Sequence, residues 1–158
     1  MKRDLKLERT YPHPPERVWR ALTDRRALAT WLMENDFEPK LGHAFTFRSK
    51  PQPGWDGVTY CEVTELEAPR RLAYTWRGGP GKGQPLTLDT VVRFTLEPAD
   101  GGTRLVLEHT GFSGFRSVLV SFMMKMGWAK MLRAKIPAVL DAMESGGVPT
   151  GVPSCDHA

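Results

Sequence analysis

Cysteine is nearly absent. The 158 residues hold two, Cys61 inside a strand-like run and Cys155 in the final stretch, too few and too differently placed for a disulfide framework. Both read as reduced thiols. Metal-ligand spacing is missing as well: His13, His43, His109 and His157 stand far apart, with no HxxxH, HExxH or CxxC arrangement, so no metal and no other cofactor is expected. Long apolar runs are lacking too. The most apolar stretch, 118–124, is broken by Ser121 and closed by Lys125, far short of the roughly 20 residues a membrane-spanning helix needs, so no membrane partner is expected. The opening MKRDLKLERT alternates charges where a signal peptide would be apolar, which predicts a cytoplasmic location. Nor is there a block of one charge. Lys+Arg 22 against Asp+Glu 18 leaves a net +4 scattered along the chain, whereas a nucleic-acid surface wants a clustered basic face with interleaved aromatics; no nucleic acid is expected.

What remains is an ordinary globular composition, 41% hydrophobic and 25% charged, at a length that predicts one compact domain. A domain of this size buries roughly 68–70% of its unfolded surface, enough to need no staple. Leu5, Leu7 and Arg9 alternate with charged neighbours as in a half-buried strand. Pro14 and Pro15 suit the first turn of a helix, with Val18, Trp19 and Leu22 at helical spacing, and Asp24 can cap a second short helix over 25–32. From residue 37 to 112 the period is two, and antiparallel strands are predicted at 44–48, 58–66, 71–77, 88–96 and 103–109. Asp56-Gly57, Ala68-Pro69, the run 78–83 and Asp100-Gly101-Gly102 supply the turns. A long amphipathic helix follows over about 116–144. Met124, Trp128, Leu132, Ile136, Val139 and Met143 form one apolar stripe, and Pro137 is expected to kink it by removing one bond and crowding the Arg133 carbonyl. The Gly/Pro-rich residues 145–158 read as a frayed, flexible tail.

Particular runs sharpen this outline. VWRALTDRRALATWL (18–32), APRRLAYTWR (68–77), VVRFTLEPADGGTRLVLEHTGF (91–112) and GWAKML (127–132) resemble the START-like (SRPBCC) superfamily, and within it the bacterial homologues of the activator of the heat-shock-protein-90 ATPase. The resemblance implies an α+β helix-grip fold over a single START-like domain, 1–144: a curved antiparallel sheet wrapped around the long C-terminal helix, with two short helices after the first strand. It also implies that the space between sheet and helix can take small apolar ligands, although such folds host many functions. The segment FSGFRSVLVSFMMKM (112–126) departs from it by being unusually apolar and Met-rich.

Strand alternation supplies the candidate site. Phe45 and Phe47 share one face, as do Leu72, Tyr74 and Trp76, then Val92, Phe94 and Leu96, then Leu105, Leu107 and His109. If these faces point inward they meet the helix stripe, where they either simply fill a core or bound a cavity. The expected ligand-binding residues are Trp31, Phe45, Phe47, Tyr74, Trp76, His109, Met124 and Trp128, with access around Trp31. His109 reads first as a satisfied buried histidine and second as a ligand or acid–base group. No catalytic residue is assigned. Glu62 and Glu65 are expected on opposite strand faces and make no carboxylate pair; Cys155, Asp156 and His157 lie in the tail; 78–83 lacks the Ser/Thr and helix of a phosphate loop; Ser113 and Ser117 lack triad partners. The expected function is binding of a small apolar or aromatic molecule. The rivals are a polyketide cyclase- or hydratase-like enzyme and a chaperone-associated interaction protein, and a homodimer surface built on the methionines stays open.

Overall fold

The computed structural model describes residues 3–81, 83, 86–112 and 117–144. The expected tail, with Cys155 and His157, lies outside them. A nine-residue strand β1 (Arg3–Tyr11) leads into helices α1 (Pro15–Thr23) and α2 (Arg25–Trp31), followed by β2 (Glu34–Asn35), β3 (Ala44–Arg48), β4 (Val58–Glu67), β5 (Arg71–Gly78), β6 (Leu88–Ala99) and β7 (Gly102–Phe112). The strands form one antiparallel sheet in the order β1-β7-β6-β5-β4-β3-β2, so the meander predicted from period-two patterning is present and β1 closes beside the last strand. This is the helix-grip architecture.

Local chemistry sets the ends of the two short helices. Pro15 takes the first helical position of α1, where its missing N–H leaves nothing unsatisfied. The Asp24 carboxylate then caps α2 by accepting from the amides of Arg26 at 2.8 Å and Ala27 at 3.2 Å. Val18, Ala21 and Leu22 on α1, with Ala27, Leu28 and Trp31 on α2, bury the faces turned to the sheet. At the Asp56-Gly57 turn φ of Gly57 is +88°, and a Cβ there would meet the Ser49 carbonyl at 2.4 Å, so only glycine fits.

Two local features depart from the expected pattern. In β4 the register shifts between Val63 and Glu65: Val63 opposes inward Tyr74, but Glu65 opposes outward Ala73. The extra residue puts Glu65 on the same outer face as Glu62, correcting the opposite-face expectation, and Glu65 there pairs with Arg71 at 3.4 Å and Arg93 at 3.0 Å.

The second feature concerns Pro137. Helix α3 (Ser117–Lys130) passes through a π-helical turn, Met131–Lys135, into α4 (Ile136–Glu144). The Ile136 amide bonds five residues back to the Met131 carbonyl. The Leu132 carbonyl then has no helical donor, because the amide four residues on is taken and the fifth belongs to Pro137. The Tyr11 hydroxyl donates to it at 2.7 Å, tying the end of β1 to the helix. The proline is therefore absorbed as a π turn fastened from outside.

The helix buries Trp128, Leu132, Ile136 and Val139 in the core, as the stripe predicts, and Leu140 beside them, its α4 part packing on α1 and α2; each aliphatic member contributes roughly 1.5–3 kcal/mol. Its ends, Met124 and Met143, are only partly buried. The opposite face of α3 is apolar as well: Leu119, Phe122, Met123 and Met126, at i, i+3, i+4 and i+7, are each about 60% exposed. Among the described residues no helix is long and apolar enough to cross a membrane.

Candidate functional site

Alternation aims the inner row of each strand at the helix, and register aligns the rows. Phe47 faces Thr59, Val63 faces Tyr74, Trp76 faces Thr90, and Val92 faces His109. Seven of the eight expected residues come together as one buried aromatic cluster. Phe45 lies 5.3 Å from Phe47 and 5.2 Å from Tyr74 between ring centroids, Phe47 lies 5.4 Å from Trp76, and Trp76 lies 5.5 Å from Trp128. Trp31 reaches in from α2 to within 6.5 Å of Trp128, held by its indole N–H, which donates to the Ala21 carbonyl at 2.8 Å. Met124 stands apart at the rim, half-buried against the cluster.

Phe37, between β2 and β3, completes the ring around Tyr74 at 6.3 Å and meets Phe45 edge-on at 5.0 Å. Sequence reasoning missed it because it belongs to no periodic element. The one available signal is Asn35, whose side-chain oxygen accepts from the Phe37 amide at 3.0 Å in an Asx turn.

His109 is locked. Thr90 has one hydroxyl proton and donates it to the Trp76 carbonyl at 2.8 Å, so the His109 Nε2–H must donate to Thr90 Oγ1 at 2.7 Å. On its other side Nδ1 accepts from the Trp128 indole N–H at 3.0 Å. Both ring nitrogens are engaged, and a second proton on Nδ1 would oppose the indole N–H. Burial pushes its pKa down to about 3. This is the satisfied buried histidine, without a lone pair or proton to offer a ligand.

Tyr74 is the opposite case. Its ring is fully buried among Phe37, Phe45, Phe47 and Phe94, and its hydroxyl has no hydrogen-bond partner. Burial, with Cys61 nearby, raises its pKa well above that of a free tyrosine. The Cys61 thiol is pushed up in the same way, by burial first and Asp36 second, and stays protonated.

Two further groupings lie outside this cluster. His13, Asp141 and Glu144 come within metal-ligand reach of one another, a proximity no sequence spacing reveals. Arg17 donates to His13 Nδ1 at 3.0 Å, so the ring proton sits on Nε2 and faces Asp141 at 3.1 Å; the ring keeps no lone pair for a cation. A groove of about 230 Å³ runs between α2 and the C-terminal helix, lined by Thr30, Ala134, Ala138, Val139 and Ala142 with Lys130 and Lys135. It includes none of the eight expected residues.

Comparison with known proteins agrees with the architecture. Protein MLL2253 from Mesorhizobium loti is 39% identical, over 88% of this chain and 97% of that one, with a TM-score of 0.75. Bacillus halodurans BH1534 is 29% identical over 82% and 90%, with a TM-score of 0.64, and CalU16 from Micromonospora echinospora is 25% identical over 92% and 83%, with a TM-score of 0.63. No protein of curated function matches. The family description "Activator of Hsp90 ATPase homolog 1-like protein" fits residues 12–141, from the end of β1 into α4, so it spans both short helices, most of the sheet and the Tyr74 and His109 strands. The chain belongs to that START-like family.

Proposed function

We propose that the protein binds a small hydrophobic or aromatic molecule between the sheet and the C-terminal helix and carries out no chemistry on it. The observation that carries this reading is the Tyr74 hydroxyl, which among the described residues is a fully buried side-chain polar group without a hydrogen-bond partner. Such exceptions ask for a reason, and an oxygen of a bound molecule supplies one. The aromatic walls supply the driving force, at roughly 25 cal/mol for each Å² of apolar surface removed from water. A cyclase- or hydratase-like reaction needs a group that titrates beside substrate, and His109, held neutral between Thr90 and Trp128, does not meet that need.

Native mass spectrometry of freshly purified protein, combined with tryptophan fluorescence, tests the reading. The expected result is a co-purified small molecule, or a change in emission as an apolar probe reaches Trp76 and Trp128. A bare mass and an emission indifferent to every apolar probe would move the function to the surface.

A further inference from the structure

The polar groups of the core narrow the ligand's chemistry. We infer that the molecule meeting Tyr74 is uncharged and presents one oxygen function, a ketone, ether or hydroxyl on an apolar or aromatic skeleton, while carboxylates and amines are rejected. This rests on the binding reading above and specifies its substrate class.

The first support is how the other hydrogen-bonding groups are used. The Tyr11 hydroxyl serves the Leu132 carbonyl, the Trp31 indole serves Ala21, Thr90 serves Trp76, and His109 joins Thr90 to Trp128. Tyr74 holds the one fully buried, unpartnered side-chain polar atom among the described residues. A single open position on the protein matches a single polar function on the ligand.

The second support is charge. The rings around Tyr74 are phenyl groups, and the buried polar side chains among the described residues are threonines, a serine and two histidines, with no Lys, Arg, Asp or Glu. A carboxylate or ammonium seated there would lack a counter-ion, a desolvation loss far larger than one phenol hydrogen bond returns. The buried ionisable groups of this cluster cannot adapt: burial keeps the Tyr74 phenol and the Cys61 thiol beside it protonated, and His109, on the far side of Trp76, unprotonated. The phenol therefore remains a neutral donor, suited to a neutral acceptor.

Three probes on one skeleton test this by equilibrium dialysis at pH 7: 2-acetonaphthone, its hydrocarbon analogue 2-ethylnaphthalene, and 2-naphthoate. The ketone is expected to bind at least about tenfold more tightly than the carboxylate, since the latter must leave a charge unpaired. Tyr74→Phe is expected to weaken the ketone about fivefold and leave the hydrocarbon unchanged, the loss of one net hydrogen bond. Naphthoate binding as well as the ketone, or Tyr74→Phe weakening ketone and hydrocarbon alike, would overturn the ligand class while leaving a binding protein. Failure of all three probes together with a bare native mass would instead remove the binding reading, and this inference with it. The variant deletes an unpartnered hydroxyl, so it is expected to fold, and the wild-type comparison stands without it.

Discussion

Two buried tyrosines make opposite predictions from the same substitution. Tyr11→Phe removes the hydroxyl that donates to the Leu132 carbonyl and should lower stability by about 1–2 kcal/mol. Tyr74→Phe removes a hydroxyl that has no partner and should leave stability unchanged or raise it by up to about 1 kcal/mol in ligand-free protein. Urea unfolding of both variants measures the contrast, and equal losses would mean that Tyr74 is satisfied in solution. His109 makes a pH prediction. Its pKa is about 3 when folded and near the usual 6.5 when unfolded, so below about pH 6.5 the unfolded chain takes up a proton that the folded chain refuses. Stability should fall with pH across that window, by about 2 kcal/mol between pH 7 and pH 5, and His109→Gln should show a smaller drop. At this scale the sequence was half legible. Period-two spacing placed Phe45, Phe47, Tyr74, Trp76 and His109 on inward faces, because alternation is geometric. It could not show that Thr90 and Trp128 consume the histidine while Tyr74 stays open, because each of those pairings joins residues 19 positions apart.

Among the elements, β3, β4 and β5 could be read to within a residue of their ends from period-two spacing and turn signals, although β5 is buried on both faces, while β6 and β7 run past the predicted 96 and 109 to Ala99 and Phe112. The two-residue β2 is too short to carry a period, and the β4 bulge leaves no mark in composition. Pro137 was legible as a disturbance, although its form, a π turn that borrows a hydroxyl from β1, was not. That arrangement predicts coupling between two positions 126 residues apart in sequence. Pro137→Ala restores an amide able to serve the Leu132 carbonyl, so Tyr11→Phe should cost less than half as much in that background, with an interaction energy of about 0.5–1 kcal/mol. Strict additivity in the double-mutant cycle would mean that the hydroxyl and the proline act independently. On α3 the two apolar faces should separate cleanly. Trp128→Ala should cost about 3–5 kcal/mol. Met123→Gln and Met126→Gln, on the exposed face, should change stability by less than about 0.5 kcal/mol.

For the molecule as a whole, the interior combines a cluster of aromatic rings with buried aliphatics such as Leu72, Leu107, Leu132 and Ile136, and the elements that cover it differ in length. β5, β6 and β7 are long strands paired on both sides, whereas α2 has seven residues, capped by one aspartate, tied by the Trp31 indole to Ala21 and by its Arg25 carbonyl to Asn35, and buried at Ala27, Leu28 and Trp31. Local opening favours a short element at the margin of a sheet over its central strands, so the expected gate for a molecule reaching Tyr74 is α2. A ligand that binds only the folded state at a hundred times its Kd should stabilise the protein by about 2.7 kcal/mol, visible as a rise in Tm. Hydrogen exchange locates the gate. With 2-acetonaphthone bound, amides of residues 25–31 should exchange more slowly, in proportion to the rise in Tm, while those of β6 and β7 should change only with global stability. Protection confined to β2, β3 and the Phe37 segment would place the entrance at the short-strand edge of the sheet, and Trp31 would then be a wall of the site instead of its door.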